Sequence, residues 1–170
     1  MELGSDMLLI SGLAATRQQA IDLLQAGIQS KRSIATLKKL IALQGGHDKV
    51  VDDVNLLPQP KMRIEIESLV SGYVQAIDAL EVGLASKVLG AGRRKKDGSV
   101  DPSVGIVLKK KVGDRVEKGE PIAVLFTDGD RKKTEPAKEK FLNAYTIGKK
   151  QVQPPRFFYA RVTKEGVEEL

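Results

Sequence analysis

The chain of 170 residues contains no cysteine, no tryptophan and a single histidine, His47. Without cysteine there is no disulfide, no thiolate nucleophile and no cysteine-ligated zinc or iron–sulfur centre. Such a chain suits a reducing compartment, and a cytoplasmic location is expected. Aromatic residues make up 4%, too few for the stacking platforms on which single-stranded nucleic acids bind. The longest uncharged apolar stretch, residues 7–15, falls well short of the ~20 residues that cross a bilayer, so no membrane partner is expected. Glu2 and Asp6 near the start stand where a secretory signal carries basic residues, so no such signal is expected.

What is present is the composition of an ordinary globular protein, 41% hydrophobic and 29% charged. A chain of this size buries roughly 70% of its unfolded surface and needs no staples. Charge is unevenly placed. Of 28 Lys+Arg and 22 Asp+Glu, residues 1–60 hold six of each, so the whole net charge of +6 lies in residues 61–170. Such asymmetry can mark a nucleic-acid surface. The basic runs lack interleaved aromatics, which favours a solvated face.

The first third reads as about three helices. Met7, Leu8, Leu9, Ile10 and Leu13 form an apolar cluster, and Thr16 with Gln19 has capping-box spacing ahead of Ala20, Ile21, Leu24 and Ile28. Ser33 is placed to cap a third helix with an apolar face of Ile34, Leu37, Leu40, Ile41 and Leu43, stopped by Gly45-Gly46. Residues 50–60, rich in Asp and Pro, read as a loop or hinge.

From Lys61 the period changes. Met62, Ile64 and Ile66 alternate with charges as in a half-buried strand, and residues 70–77 form a second strand with Gly72 at a bulge or close approach. Asp78 caps a helix over residues 79–89 that Gly90 closes. Residues 93–102 read as a basic loop, and residues 104–112, Val116 and 122–126 as short strands. A helix is expected over residues 134–147 and a closing strand over 157–162. No internal repeat is visible.

Chemistry-bearing constellations are weak. His47 follows a helix stop and reads as an exposed loop residue. Asp52-Asp53 and Asp128-Gly129-Asp130 lack the continuation of an EF-hand loop and are explained by turns and caps. Gly90-Ala91-Gly92-Arg93-Arg94-Lys95-Lys96 joins mobile amides to four cations, but the glycines follow a helix instead of opening one, which is the wrong end for a phosphate. Residues 109–111 and 131–133 read as solvated basic runs.

The most specific stretch is Val104-Gly105-Ile106-Val107-Leu108 followed by residues 111–125, where Gly113-Asp114 and Gly119-Glu120-Pro121 make two tight turns around an inward Val116. It is similar to the half-motif of biotinyl and lipoyl carrier domains, but no Met-Lys-Met-like tip follows. Taken in order, a larger set resembles the C-terminal part of the thymidine and pyrimidine-nucleoside phosphorylase family. It comprises Glu2-Leu3-Gly4-Ser5-Asp6-Met7, Gln44-Gly45-Gly46, Val51-Asp52-Asp53, Leu56-Leu57-Pro58 and Ser71-Gly72-Tyr73-Val74. It continues with Leu89-Gly90-Ala91-Gly92-Arg93, Val100-Asp101-Pro102-Ser103-Val104-Gly105-Ile106 and residues 112–123. Residues 127–170 match only loosely.

The resemblance implies an α+β architecture: a helical segment over residues 1–60 like the end of the family's α domain, then an α/β-hammerhead, barrel-sandwich-like domain over residues 61–170. It implies a pentosyltransferase parent that splits a pyrimidine nucleoside with phosphate into free base and pentose 1-phosphate. The family's phosphate loop, its base-binding Arg, Ser and Lys, and the site for a potassium ion all precede the matched part. No catalytic, phosphate-binding, substrate-binding or metal residue is therefore assigned here, and no cofactor beyond phosphate as the parent's co-substrate. The chain is expected to be a fragment, inactive alone, that contributes the lid of a cleft. Nucleoside and phosphate would bind through the missing N-terminal part. A homodimer is expected for the parent, with self-association of this chain through residues 1–45. Two alternatives remain: a carrier-like or interaction module on a β-sandwich scaffold, and a basic nucleic-acid-binding domain using residues 93–96, 109–111 and 131–133.

Overall fold

The computed structural model describes residues 1–93 and 96–170. It is an α+β protein that divides into two compact units, Met1–Leu57 and Pro58–Leu170. No helix among the described residues is long and apolar enough to cross a membrane.

The first unit holds three helices, α1 (Glu2–Ile10), α2 (Arg17–Gln29) and α3 (Arg32–Leu43). Thr16 caps α2 by accepting from the Gln19 N–H at 3.2 Å. Gln19 reaches back to the Ala15 N–H at 2.9 Å, one residue beyond the usual reciprocal partner. α1 and α2 are tied by the Arg17 guanidinium, which donates to Glu2 (2.7 Å), to the Ser5 hydroxyl (2.7 Å) and to Asp6. The expected Ser33 cap is corrected: Lys31 in left-handed conformation (φ 57°) precedes the helix, with no side-chain cap, and Ser33 lies inside the first turn. The short Ser30–Lys31 link leaves no extended residue at which a serine could cap. Gly45 at φ 78° ends α3 as expected, with the Gly46 N–H returning to the Ile41 carbonyl at 2.9 Å. Residues 50–60 are more ordered than a plain loop, because two 3-10 turns, Asp48–Val51 and Val54–Leu56, fold within or across that stretch.

The second unit carries two three-stranded antiparallel sheets. One has the order β1 (Met62–Glu67), β5 (Pro121–Thr127), β3 (Gly105–Leu108); the other has β4 (Arg115–Val116), β2 (Gly72–Ile77), β6 (Tyr145–Gly148). In β1 the alternation places Ile66 fully inside and Ile64 half-buried, with Arg63 and Glu65 out. β5 is buried on both faces: Ala123 and Leu125 point one way and Ile122 and Val124 the other, none more than 2% exposed. Helices α4 (Ala79–Leu89) and α5 (Arg131–Asn143) pack on each other, and one core joins Ile66, Val74, Leu89, Val116, Leu125 and Phe141 from both sheets and both helices.

Local chemistry explains these elements. Asp78 caps α4 by accepting from the Glu81 N–H at 3.1 Å, and Gly90 at φ 117° ends it. The two tight turns around Val116 share one design. Gly113 (φ 97°) and Gly119 (φ 85°) each sit at the third position, and the acid that follows, Asp114 or Glu120, accepts from the N–H of the turn's first residue, Lys111 (2.7 Å) or Glu117 (3.0 Å).

The helix expected over residues 134–147 is corrected at both ends. Asp130 accepts from the Lys132 N–H at 2.9 Å and starts α5 at Arg131. Tyr145–Gly148 instead forms β6, pairing Ile147 with Val74 and Tyr145 with Ile77 across β2. The apolar Tyr145 and Ile147 fit a period of two as well as one of 3.6, and strand pairing decides. The closing strand is shorter than expected and has a partner: β7 (Ala160–Thr163) pairs with β8 (Gly166–Glu169), leaving Phe157 and Phe158 outside it. The strand expected over 104–112 shrinks to Gly105–Leu108 because the turn at Lys111 begins early.

Gly72 marks a close approach. A Cβ there would lie 2.6 Å from the Gly148 carbonyl oxygen across the β2–β6 pair, and backbone cannot move aside as a flexible side chain can. Gly72→Ala should destabilise the second unit by about 1–3 kcal/mol, read as a lower thermal midpoint with β6 amides losing hydrogen-exchange protection first.

Candidate functional site

The sequence places its glycine-rich, basic segment at the end of α4, and there the fold opens a cleft of about 440 Å³. Val88, Gly90, Gly92, Asp97, Gly98, Ser99 and Lys133 line it. Gly90 lets the chain leave α4 sharply, since its φ of 117° is one that residues with a Cβ rarely adopt. The far end of the loop is stapled back by the Asp101 N–H, which donates to the Gly90 carbonyl at 3.0 Å. Asp101 is itself fixed by the Ser103 hydroxyl (2.6 Å) and the Ser103 N–H (2.9 Å), and these hydrogen bonds hold its carboxyl below the usual carboxylate range.

The opposite wall comes from the β5–α5 junction. Buried Thr127 and Thr134 share a hydrogen bond of 2.8 Å that fixes the start of α5 against the end of β5. Lys133 then reaches Asp128 at 2.6 Å. That ammonium, with the Asp130 N–H at 3.0 Å, keeps Asp128 ionised below its ordinary range. Asp130 spends its carboxylate on the helix cap. Asp128-Gly129-Asp130 is thus turn, ion pair and cap.

The cleft therefore brings the glycines ahead of the first basic run, Gly90 and Gly92, together with Lys133 of the run at residues 131–133. Arg94 and Lys95 lie outside the described residues. The third run has other duties. Lys110 binds Glu120 at 2.5 Å and the Arg115 carbonyl at 2.9 Å, its own carbonyl takes the Tyr145 hydroxyl at 2.9 Å, and Lys111 lines a separate apolar groove with Pro154 and Phe157. Burial pushes the Tyr145 phenol up to about 12, so it stays a neutral donor at neutral pH. His47 is exposed beside the first 3-10 turn, Asp52 pairs with Lys38 at 2.5 Å, and Asp53 caps the second 3-10 turn. Among the described residues no group of three His, Asp or Glu is gathered as a metal cluster would be. The arrangement ties the two ends of a loop together beside a cleft, and among the described residues it shows no paired nucleophile and base.

Sequence reasoning misses the Asp101–Ser103 staple, which the Asp-x-Ser spacing signals. It also misses the Lys133–Asp128 pair and the Tyr145–Lys110 contact; the latter spans 35 residues and has no local signal.

The two-sheet, two-helix unit with this loop is a domain with a family match: residues 73–148 match the pyrimidine nucleoside phosphorylase C-terminal domain. Most of the chain is similar to curated proteins named pyrimidine-nucleoside phosphorylase. It is 37% identical to that of Geobacillus stearothermophilus over 95% of this chain and 37% of the relative. The Staphylococcus epidermidis protein is 37% identical over 91% and 35%, and the Bacillus subtilis protein 38% over 75% and 30%. The match is to the C-terminal portion of pyrimidine-nucleoside phosphorylases, and the chain spans about a third of the length of these relatives.

Three carboxylates around the turns and the cleft, Asp101, Glu120 and Asp128, are held below their ordinary range in the folded state. A lowered folded value means that their contribution is fully present above the unfolded value, near pH 4, and is lost as pH falls further. Unfolding free energy should therefore drop on going below about pH 4, and Asp128→Asn should flatten part of that drop. A pH series of thermal melts on both proteins checks it.

Proposed function

We propose that this chain is the C-terminal jaw of a pyrimidine-nucleoside phosphorylase, an enzyme that splits a pyrimidine nucleoside with phosphate into free base and pentose 1-phosphate. The carrying observation is the 37% identity to the Geobacillus stearothermophilus protein of that name along 95% of this chain. In this reading the reacting groups belong to the preceding part of the enzyme, which would hold nucleoside, phosphate and any potassium ion. The jaw excludes water and brings the two substrates into line when the cleft closes, a role that calls for rigidity and for no chemistry of its own. Residues 52–60 serve as the hinge. The Gly90–Asp101 staple and the Lys133–Asp128 pair support the reading, because they stiffen a loop without supplying a nucleophile or base.

The test is direct. Incubated with uridine or thymidine and phosphate, the chain alone should release no free base; turnover would overturn this division of labour. Without the preceding part, the apolar side chains of residues 1–45 remain in water. Leu3, Met7, Ile10, Leu13, Ile28 and Leu43 are each between 61% and 88% exposed, and patches of this kind drive association. The isolated chain should show a weight-average mass that rises with concentration in sedimentation; a monomer throughout, with its helices intact, would count against it.

A further inference from the structure

Gly27 sits in the last turn of α2, where glycine weakens a helix. Among the described residues nothing calls for it. Its φ is not left-handed, and a Cβ at this position would meet no atom within 4 Å. What Gly27 does is floor an open groove of about 590 Å³ lined chiefly by Leu8, Leu13, Leu23, Leu24 and Ile28. On the other wall, a Cβ on Gly4 would lie 3.0 Å from Leu24 Cδ1, so α1 and α2 are as close as their side chains permit. The groove belongs to a unit that buries only Ser5, Ala14 and Ala20 and has no core of its own.

We propose that this groove seats an amphipathic helix from the N-terminal portion of the phosphorylase, with Gly27 as the notch that admits its backbone. The inference rests on the reading of the chain as the C-terminal part of such an enzyme. The occupant follows from length and shape. A match of 161 residues out of 170 takes in most of the groove's lining, yet it covers 37% of the Geobacillus stearothermophilus relative, so nearly two thirds of that protein lies outside it. A second copy fits less well: an isologous contact centred here sets groove against groove and leaves both floors empty. An apolar helix face fills such a groove through residues at i, i+3, i+4 and i+7.

The experiment grafts this chain in place of the matching segment of the Geobacillus stearothermophilus relative and introduces Gly27→Leu both in the graft and in the isolated chain. A Cβ added there meets no atom within 4 Å and leucine is the better helix former, so the isolated chain should keep its thermal midpoint or gain a few degrees. In the graft the same leucine occupies the seat, and the midpoint should fall by several degrees, with Gly27→Ala falling less. Equal shifts in graft and isolated chain, or a graft that accumulates only as unfolded protein, would overturn the proposal. A folded graft that shows the opposite-signed response but releases no uracil from uridine keeps the groove as a seat and removes the functional reading instead.

Discussion

Strand β5 is buried on both faces, and the second unit is organised by that fact. A central antiparallel strand with solvent on one side would alternate apolar with polar; Pro121–Thr127 runs apolar almost throughout. Both of its flanks are therefore taken, by β1 and β3 in the ladder, and both of its faces are covered by core side chains. Its two ends are tied as well. Glu120, at the entry, lies in the turn held by Lys110, and Thr127, at the exit, bonds Thr134 of α5. The Lys133 side of the cleft takes its position from this strand, because Lys133 is placed by α5, and the start of α5 is fixed by the Thr127–Thr134 contact.

The first unit has the reverse construction. Its three buried residues are two alanines and a serine, and its large apolar side chains face outward. What holds α1 to α2 is polar: one guanidinium bonded to two carboxylates and a hydroxyl. A charge network at this degree of exposure contributes little compared with a core, so the unit has little buried apolar area to hold it together.

The sequence made most of the second unit legible wherever a signal was local. Asp78 and Gly90 bracket α4 at its observed ends, Gly72 stands at the close approach, and the paired glycines at 113 and 119 mark the two turns. It failed where two periods fit the same side chains. Tyr145 and Ile147 continue the apolar face of α5 on paper, and only the availability of β2 as a partner turns them into a strand. Ser33 misled for a related reason. A capping side chain needs an extended residue before the helix, and the two-residue link from α2 leaves Lys31 in the left-handed region instead. The candidate site was half visible. The glycines and basic runs could be named from sequence, but which lysine would be spent on which carboxylate depends on elements that fold brings together.

Those ion pairs bear on the nucleic-acid alternative. Binding to phosphates draws on cations free to replace a counterion atmosphere. Lys110 binds Glu120 and Lys133 binds Asp128, and each carboxylate is shifted downward by its partner. In two of the three basic runs, then, the central or terminal lysine stiffens a turn or a helix start. Charge that the composition presents as a surface property is used locally to hold loops in place.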